Sequence, residues 1–207
     1  MKNIIFDIGN VIFYYDLDKV PEIFSDDLNE QEFIKNNLIN SPEWGQYNLI
    51  DTGLLSISDI INITQDRTDH LKDKLIFNFW HHYLDSGYVS SDVLLLLKTL
   101  SKNGYKIYLL SNMNQSFYNI VLPTGLFDMV DGYVLSFQEN AIKPYTEIYK
   151  RLIDRYKLNI EESLFIDDNL KNVATSKLLG LNAICVEKDN YKDLIDKMKK
   201  FSIKIDN

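Results

Sequence analysis

The chain has 207 residues, 45% hydrophobic and 25% charged, enough for one substantial core with a smaller lobe attached. Its formal net charge of −8 argues against a nucleic-acid partner, because backbone binding rests on Lys and Arg neutralising phosphates. That balance leaves room for a small phosphorylated ligand, since a local cation can reverse the field inside one pocket. No run approaches the ~18 apolar residues of a membrane span, and the opening Met1-Lys2-Asn3 leads into an apolar stretch too short and too acidic for a signal peptide. With one cysteine and no internal disulfide possible, a reducing, cytoplasmic location is expected, with no membrane partner.

The first strand expected is Asn3 to Phe6, ending at Asp7-Ile8-Gly9-Asn10. From about Tyr15 to Tyr88 no β run stands out. Apolar residues there recur at helical spacing, as in Phe33, Ile34 and Leu38, then Leu55, Ile57, Ile60 and Ile61, then Leu71, Leu75 and Phe79. This segment, residues 15–88, reads as a helical cap inserted after the first strand, with residues 1–14 and 89–207 forming the core. Four further strands are expected at Tyr105 to Leu110, Tyr133 to Leu135, Leu164 to Ile166 and Ala183 to Val186. All are apolar at consecutive positions, as in a parallel sheet covered on both faces. Helices are expected at Asp92 to Ser101, Gln115 to Val121, Thr146 to Tyr156, Leu170 to Leu179 and Tyr191 to Phe201. The alternation predicts an α/β fold, a Rossmann-like parallel sheet core. Cys185, inside the last strand, reads as a small buried hydrophobe.

Ligands of open α/β sheets bind at the carboxyl ends of the strands. Three strands end in polar residues suited to chemistry: Asp7, Ser111-Asn112 and Asp167-Asp168. The Tyr133 to Leu135 strand leads towards Lys143-Pro144. Taken singly, each has a plain explanation as a turn, a cap or solvated surface; Ser111 or Asn114, for instance, would start the Gln115 to Val121 helix. Taken together they suggest more. Two adjacent carboxylates repel, and a hard cation such as Mg2+ relieves them. Unit charges ~4 Å apart interact by about 4 kcal/mol at an effective dielectric of 20. Asp7, Asp168 and a phosphate dianion in one pocket would therefore need both a metal and Lys143. In that arrangement Asp7 can attack phosphorus in line.

These four stations, in this order across nearly the whole chain, resemble the four motifs of the haloacid-dehalogenase-like hydrolases. The run Phe6-Asp7-Ile8-Gly9-Asn10-Val11-Ile12, followed by Asp16-Leu17-Asp18, is similar to the subgroup containing bacterial glucose-1-phosphate phosphatase and the phosphatase half of epoxide hydrolases. The resemblance implies a magnesium-dependent phosphatase acting on a small phosphorylated substrate through an aspartyl-phosphate on Asp7. It further implies that Ser111 and Lys143 hold the phosphoryl oxygens, with Asn112 supporting that loop. The metal would be held by Asp7, the carbonyl of Gly9 and Asp168. Asp167 would act on a metal-bound water, and Asn172 would brace Asp168.

One departure stands out. Family phosphatases mostly carry a second Asp two residues after the nucleophile, as general acid and base, and this chain has Gly9. Such a group is worth ~10²–10⁴-fold in rate. A slower or more selective enzyme follows, with Asp16, Asp18 or a cap residue as substitutes. The gap also admits a haloacid dehalogenase, whose halide leaves without a proton, or a silent phosphate-binding homologue. The cap residues Trp44, Tyr47, His81, His82 and Tyr83 read first as cap core and lobe contacts, and second as substrate contacts. His81-His82 is not expected to bind metal, since adjacent helical residues point apart.

Overall fold

The computed structural model describes residues 1–40 and 49–205, so Trp44 and Tyr47 lie outside the described residues. Five strands form one sheet: β1 (Asn3–Phe6), β4 (Lys106–Ser111), β5 (Gly132–Leu135), β6 (Ser163–Asp167) and β7 (Asn182–Cys185), in the order β5-β4-β1-β6-β7. Every neighbouring pair is parallel. The α/β parallel sheet expected from the sequence is therefore present, each strand within a residue or two of its expected bounds.

The apolar runs are explained by burial on both faces. Side chains alternate along a strand. Ile4, Phe6, Ile107, Leu109, Leu164 and Ile166 join one core cluster, while Ile5, Tyr108, Leu110 and Phe165 join the other. Helices Ser91–Lys102, Thr146–Tyr156, Leu170–Leu178 and Tyr191–Lys199 connect and cover the strands.

β1 has β4 on one side and β6 on the other. The chain reaches these neighbours by separate excursions, so the crevice at the carboxyl end of β1 is a topological switch point, where open α/β sheets bind ligands.

A helical segment is inserted after β1. It includes the helices Val20–Phe24, Leu28–Ile34, Ile57–Arg67 and Asp73–His82. Its base carries β structure that hydropathy did not suggest: β2 (Phe13–Tyr14) pairs antiparallel with β3 (Tyr88–Val89). Two residues per strand are too few to show alternation. Ile34, Leu38, Ile60, Ile61 and Phe79 are buried as their spacing implies, but Leu71 is 73% exposed, in the turn before the last of these helices.

Cys185 departs from expectation. It is only half-buried on the edge strand β7, and its thiol donates to the carbonyl of Asp168 (3.2 Å). Burial, its largest influence, raises the thiol above its usual range, so it is not a poised nucleophile.

Candidate active site

Asp7 follows β1 directly. Its amide donates to the carbonyl of Ile166 on β6 (2.9 Å), which extends the sheet by one residue and fixes where the side chain starts. The carboxyl Oδ1 accepts from the Ile8 amide (2.7 Å) and from Lys143 Nζ (2.9 Å). Lys143 Nζ also donates to Asp167 Oδ2 (2.7 Å), and its side chain is 1% exposed. The lysine itself is held by its backbone: Lys143 N donates to Asn112 Oδ1 (2.8 Å) and Asn112 Nδ2 donates to Lys143 O (2.9 Å). The Lys143-Pro144 peptide is cis. Asn112 thus ties the end of β4 to the lysine loop. Ser111, the last residue of β4, is fully buried at the same end of the sheet.

One carboxylate oxygen from each of Asp7, Asp167 and Asp168 can be chosen so that all lie within 4.8 Å of one another. Three carboxylates against one ammonium leave an excess of negative charge in a largely buried place. Burial, with Asp167 and Asp168 adding to it against the pull of Lys143, pushes Asp7 up to about 7. Asp168 is raised by burial and by Asp167, and partly restored by a hydrogen bond from the Asn10 side chain. Lys143 is pulled down by burial, but Asp167 and Asp7 more than compensate and it is raised overall, so it stays charged. An all-oxygen donor set with excess negative charge fits a hard divalent cation.

The structure distributes the supporting roles differently from the sequence reading. Asn172 braces Asp167, not Asp168: its Nδ2 lies 3.0 Å from each Asp167 oxygen. Asp167 also accepts from the Asn169 amide (2.8 Å) and is fully buried. Asn172 stands in the first turn of helix Leu170–Leu178, which places its amide over Asp167. The side chain that braces Asp168 is Asn10, which the sequence reading passed over.

Beyond the carboxylates lies a cleft of ≈ 590 Å³, with Asn112 and Asn169 on its wall, one beyond β4 and the other beyond β6. Tyr15, Asp51, Tyr83 and Asn114 are also on that wall. Asn114, not Ser111, caps helix Gln115–Val121, accepting from Phe117 N (3.1 Å). Its amide nitrogen reaches Tyr83 Oη (3.1 Å) and Asp51 Oδ1 (3.3 Å). Burial pushes Asp51 up to about 7, against the hydrogen bond from Asn114 and the field of Lys143. Tyr83 is therefore both buried and on the cleft. His81 and His82 are exposed and turn elsewhere, to Phe77 O (2.9 Å) and Asp85 Oδ2 (2.7 Å). Asp16 pairs with Lys19 (3.3 Å) and lines a separate pocket, and Asp18 is exposed.

The haloacid dehalogenase-like hydrolase family model matches residues 1–180. The chain belongs to that family. Among curated members, a D-ribitol-5-phosphate phosphatase of Bacteroides thetaiotaomicron is 27% identical over 196 residues, covering 87% of this chain and 89% of its own. A sesquiterpene phosphatase of Aspergillus oryzae is 24% identical over 183 residues, covering 87% of each chain. A crystal structure of a family enzyme from Bacteroides thetaiotaomicron, in complex with magnesium and inorganic phosphate, superposes with a TM-score of 0.76. It is 21% identical, and the match covers 94% of this chain and 98% of that one. At that identity the likeness speaks to the fold. The inserted helical segment and the sheet order are family architecture. No helix among the described residues is long and apolar enough to cross a membrane.

Proposed function

We propose that this family member is a Mg2+-dependent phosphatase of small phosphorylated metabolites, working through an aspartyl-phosphate on Asp7. The observation that carries the reading is the meeting of Asp7, Asp167 and Asp168 around Lys143 at the end of β1. Asp7 and Asp168, with the Gly9 carbonyl, are assigned to the metal. Bound there, the cation would offset the carboxylates' charge and that of the phosphoryl oxygens.

The chain's own groups do the rest. Lys143 and the Ile8 amide both hold Asp7 Oδ1, so Oδ2 is the atom assigned to attack phosphorus. Ser111 and Lys143 are assigned to the phosphoryl oxygens, and Asn112 keeps the lysine in place. Asp167, fully buried and already holding Lys143, Asn172 and the Asn169 amide, suits an orienting role better than one in proton transfer. The names of the two curated relatives, both phosphatases, support the reaction class. Sugar and polyol phosphates are the first substrates to test. The cleft offers Asp51, Asn112, Asn114 and Asn169 to hydroxyl groups, and the Phe6 to Asp18 segment is similar to a subgroup containing a sugar phosphatase.

A dehalogenase is the second reading. It needs no metal, and a haloacid would carry its own carboxylate into a pocket that already holds three. A panel of phosphate esters and 2-haloacids, assayed with and without Mg2+ beside Asp7→Asn, separates these readings. Mg2+-dependent phosphate release that Asp7→Asn nearly abolishes is expected. Metal-independent chloride release would reverse the order, and no turnover of even an activated aryl phosphate, with phosphate or fluoroberyllate still bound, would leave a phosphate-binding protein.

A further inference from the structure

Hydrolysis of an alkyl phosphate leaves an alkoxide that needs a proton, and the residue two places after Asp7 has no side chain to give one. Among the described residues, the ionisable groups on the cleft wall are Tyr15, Asp51, Tyr83 and Lys171. Lys171 is exposed. Burial holds both tyrosine hydroxyls well above the usual phenol range, which makes them reluctant donors. Asp51 is the remaining acid.

Its position is fixed by contacts with the core lobe. Ser136 Oγ, just after β5, donates to the Asp51 carbonyl (2.5 Å) and accepts from the Met113 amide (2.9 Å). Asn140 Nδ2 donates to the Thr52 carbonyl (2.8 Å). Gly53 follows at φ +69°, where a Cβ would lie 2.4 Å from the carbonyl oxygen of Phe137. The carboxyl itself is held by Asn114, on the core side. The same carboxyl lies within the field of Lys143, which touches Asp7. Tyr15, whose ring would lie 3.6 Å from a Cβ at Gly9, feels Asp51, Asp7 and Asp168 at once. Asp51 thus shares the cleft wall with Asn112, which holds Lys143, and with Asn169, whose amide holds Asp167.

We propose that Asp51 is the acid–base group of this site, delivered from the inserted segment in place of a side chain at position 9. The proposal rests on the phosphatase reading. As an Asp7 oxygen bonds to phosphorus and the ester P–O bond breaks, protonated Asp51 gives its proton to the departing oxygen, and the alcohol leaves. Asp51, now a carboxylate, takes a proton from water as that water bonds to phosphorus. The bond from phosphorus to Asp7 breaks, inorganic phosphate forms, and both residues regain their starting states.

The test is the leaving-group dependence of kcat/KM with Mg2+, comparing p-nitrophenyl phosphate, whose phenolate leaves unaided, with ethyl phosphate, whose alkoxide does not. Asp51→Asn should lose ~10²–10³-fold on ethyl phosphate and less than about 5-fold on p-nitrophenyl phosphate. Asp51→Glu, which keeps a carboxyl in a displaced position, should recover at least about tenfold of the ethyl phosphate loss. Equal losses on both esters, or none, would overturn the assignment while leaving the phosphatase reading intact. A wild-type chain inactive on both esters would sink the phosphatase reading, and the assignment with it.

Discussion

Lys143 Nζ stands 2.9 Å from Asp7 Oδ1, with 1% of the lysine side chain and 11% of the aspartate side chain exposed. The pair is incomplete as a charge balance, because the lysine also serves Asp167 at 2.7 Å and Asp168 completes a cluster of three carboxylates. The lysine is thus a structural ion whatever its part in the proposed reaction.

Removing it isolates buried negative charge. Breaking one partner out of a buried ion pair costs ~3–5 kcal/mol. Lys143→Met is therefore expected to lower stability by about that amount in denaturant titrations, and to abolish phosphate release. Part of the stability should return with millimolar Mg2+, which supplies the missing positive charge. A variant as stable as wild type without metal would show that the cluster is far better solvated than its burial indicates.

The same cluster sets a pH dependence with a definite sign. Asp7 rises from 3.8 to about 7 on folding, chiefly through burial. Between those values the folded, metal-free chain holds a proton that the unfolded chain has lost. This contribution favours folding at low pH and is lost as pH climbs through about 7. A cation on the same oxygens competes with that proton, so Mg2+ should stabilise more at pH 8 than at pH 5. At about 100-fold excess over its Kd the gain is ~2.7 kcal/mol, or about 5–10 °C in Tm at pH 8. Less than half of that is expected at pH 5. Thermal melts with Mg2+ and with chelator at both pH values read the difference directly, and a Mg2+ effect independent of pH would place the ion elsewhere.

Asp7→Asn should separate chemistry from stability. It removes one of three like charges while Lys143 keeps Asp167. Without metal at pH 8 the variant should melt at or above the wild-type Tm, and its response to Mg2+ should shrink. Stability is commonly given up where function demands strain, so a gain on losing the proposed nucleophile is the expected direction. A loss as large as that of Lys143→Met would mean that Asp7, not Asp167, is the lysine's main partner.

Much of this site was legible from the sequence because it sits on strand ends. Apolar runs buried on both faces announce β1, β4 and β6, and Asp7, Ser111 and Asp167 stand where those runs stop. What escaped depends on contacts across the chain. Asp51 lies in the inserted segment and belongs to no recognised motif, and its partner Asn114 lies 63 positions away. Asn10 looks like a loop asparagine until Asp168 is placed beside it. Asn172 was visible, but which of two adjacent carboxylates it reaches depends on how helix Leu170–Leu178 folds back, and no periodicity encodes that.

The turn that carries Asp51 offers a final test, one that leaves the carboxyl itself in place. Gly53 combines φ +69° with a space in which a Cβ would meet the Phe137 carbonyl oxygen at 2.4 Å. Backbone oxygens cannot swing aside as a flexible side-chain tip can. Gly53→Ala must therefore shift the turn away from helix Ser136–Glu139, straining the bonds from Ser136 to Asp51 and from Asn140 to Thr52. The left-handed backbone alone costs an alanine ~1 kcal/mol or more. The expected result is a Tm lower by at least about 2–4 °C, with kcat/KM for ethyl phosphate falling further than for p-nitrophenyl phosphate. Ser136→Ala, which also strands the buried Met113 amide at a cost of ~1–3 kcal/mol, should show the same bias between esters. Stability lost in both variants with the two esters affected alike would show that the turn braces the fold without aiming Asp51.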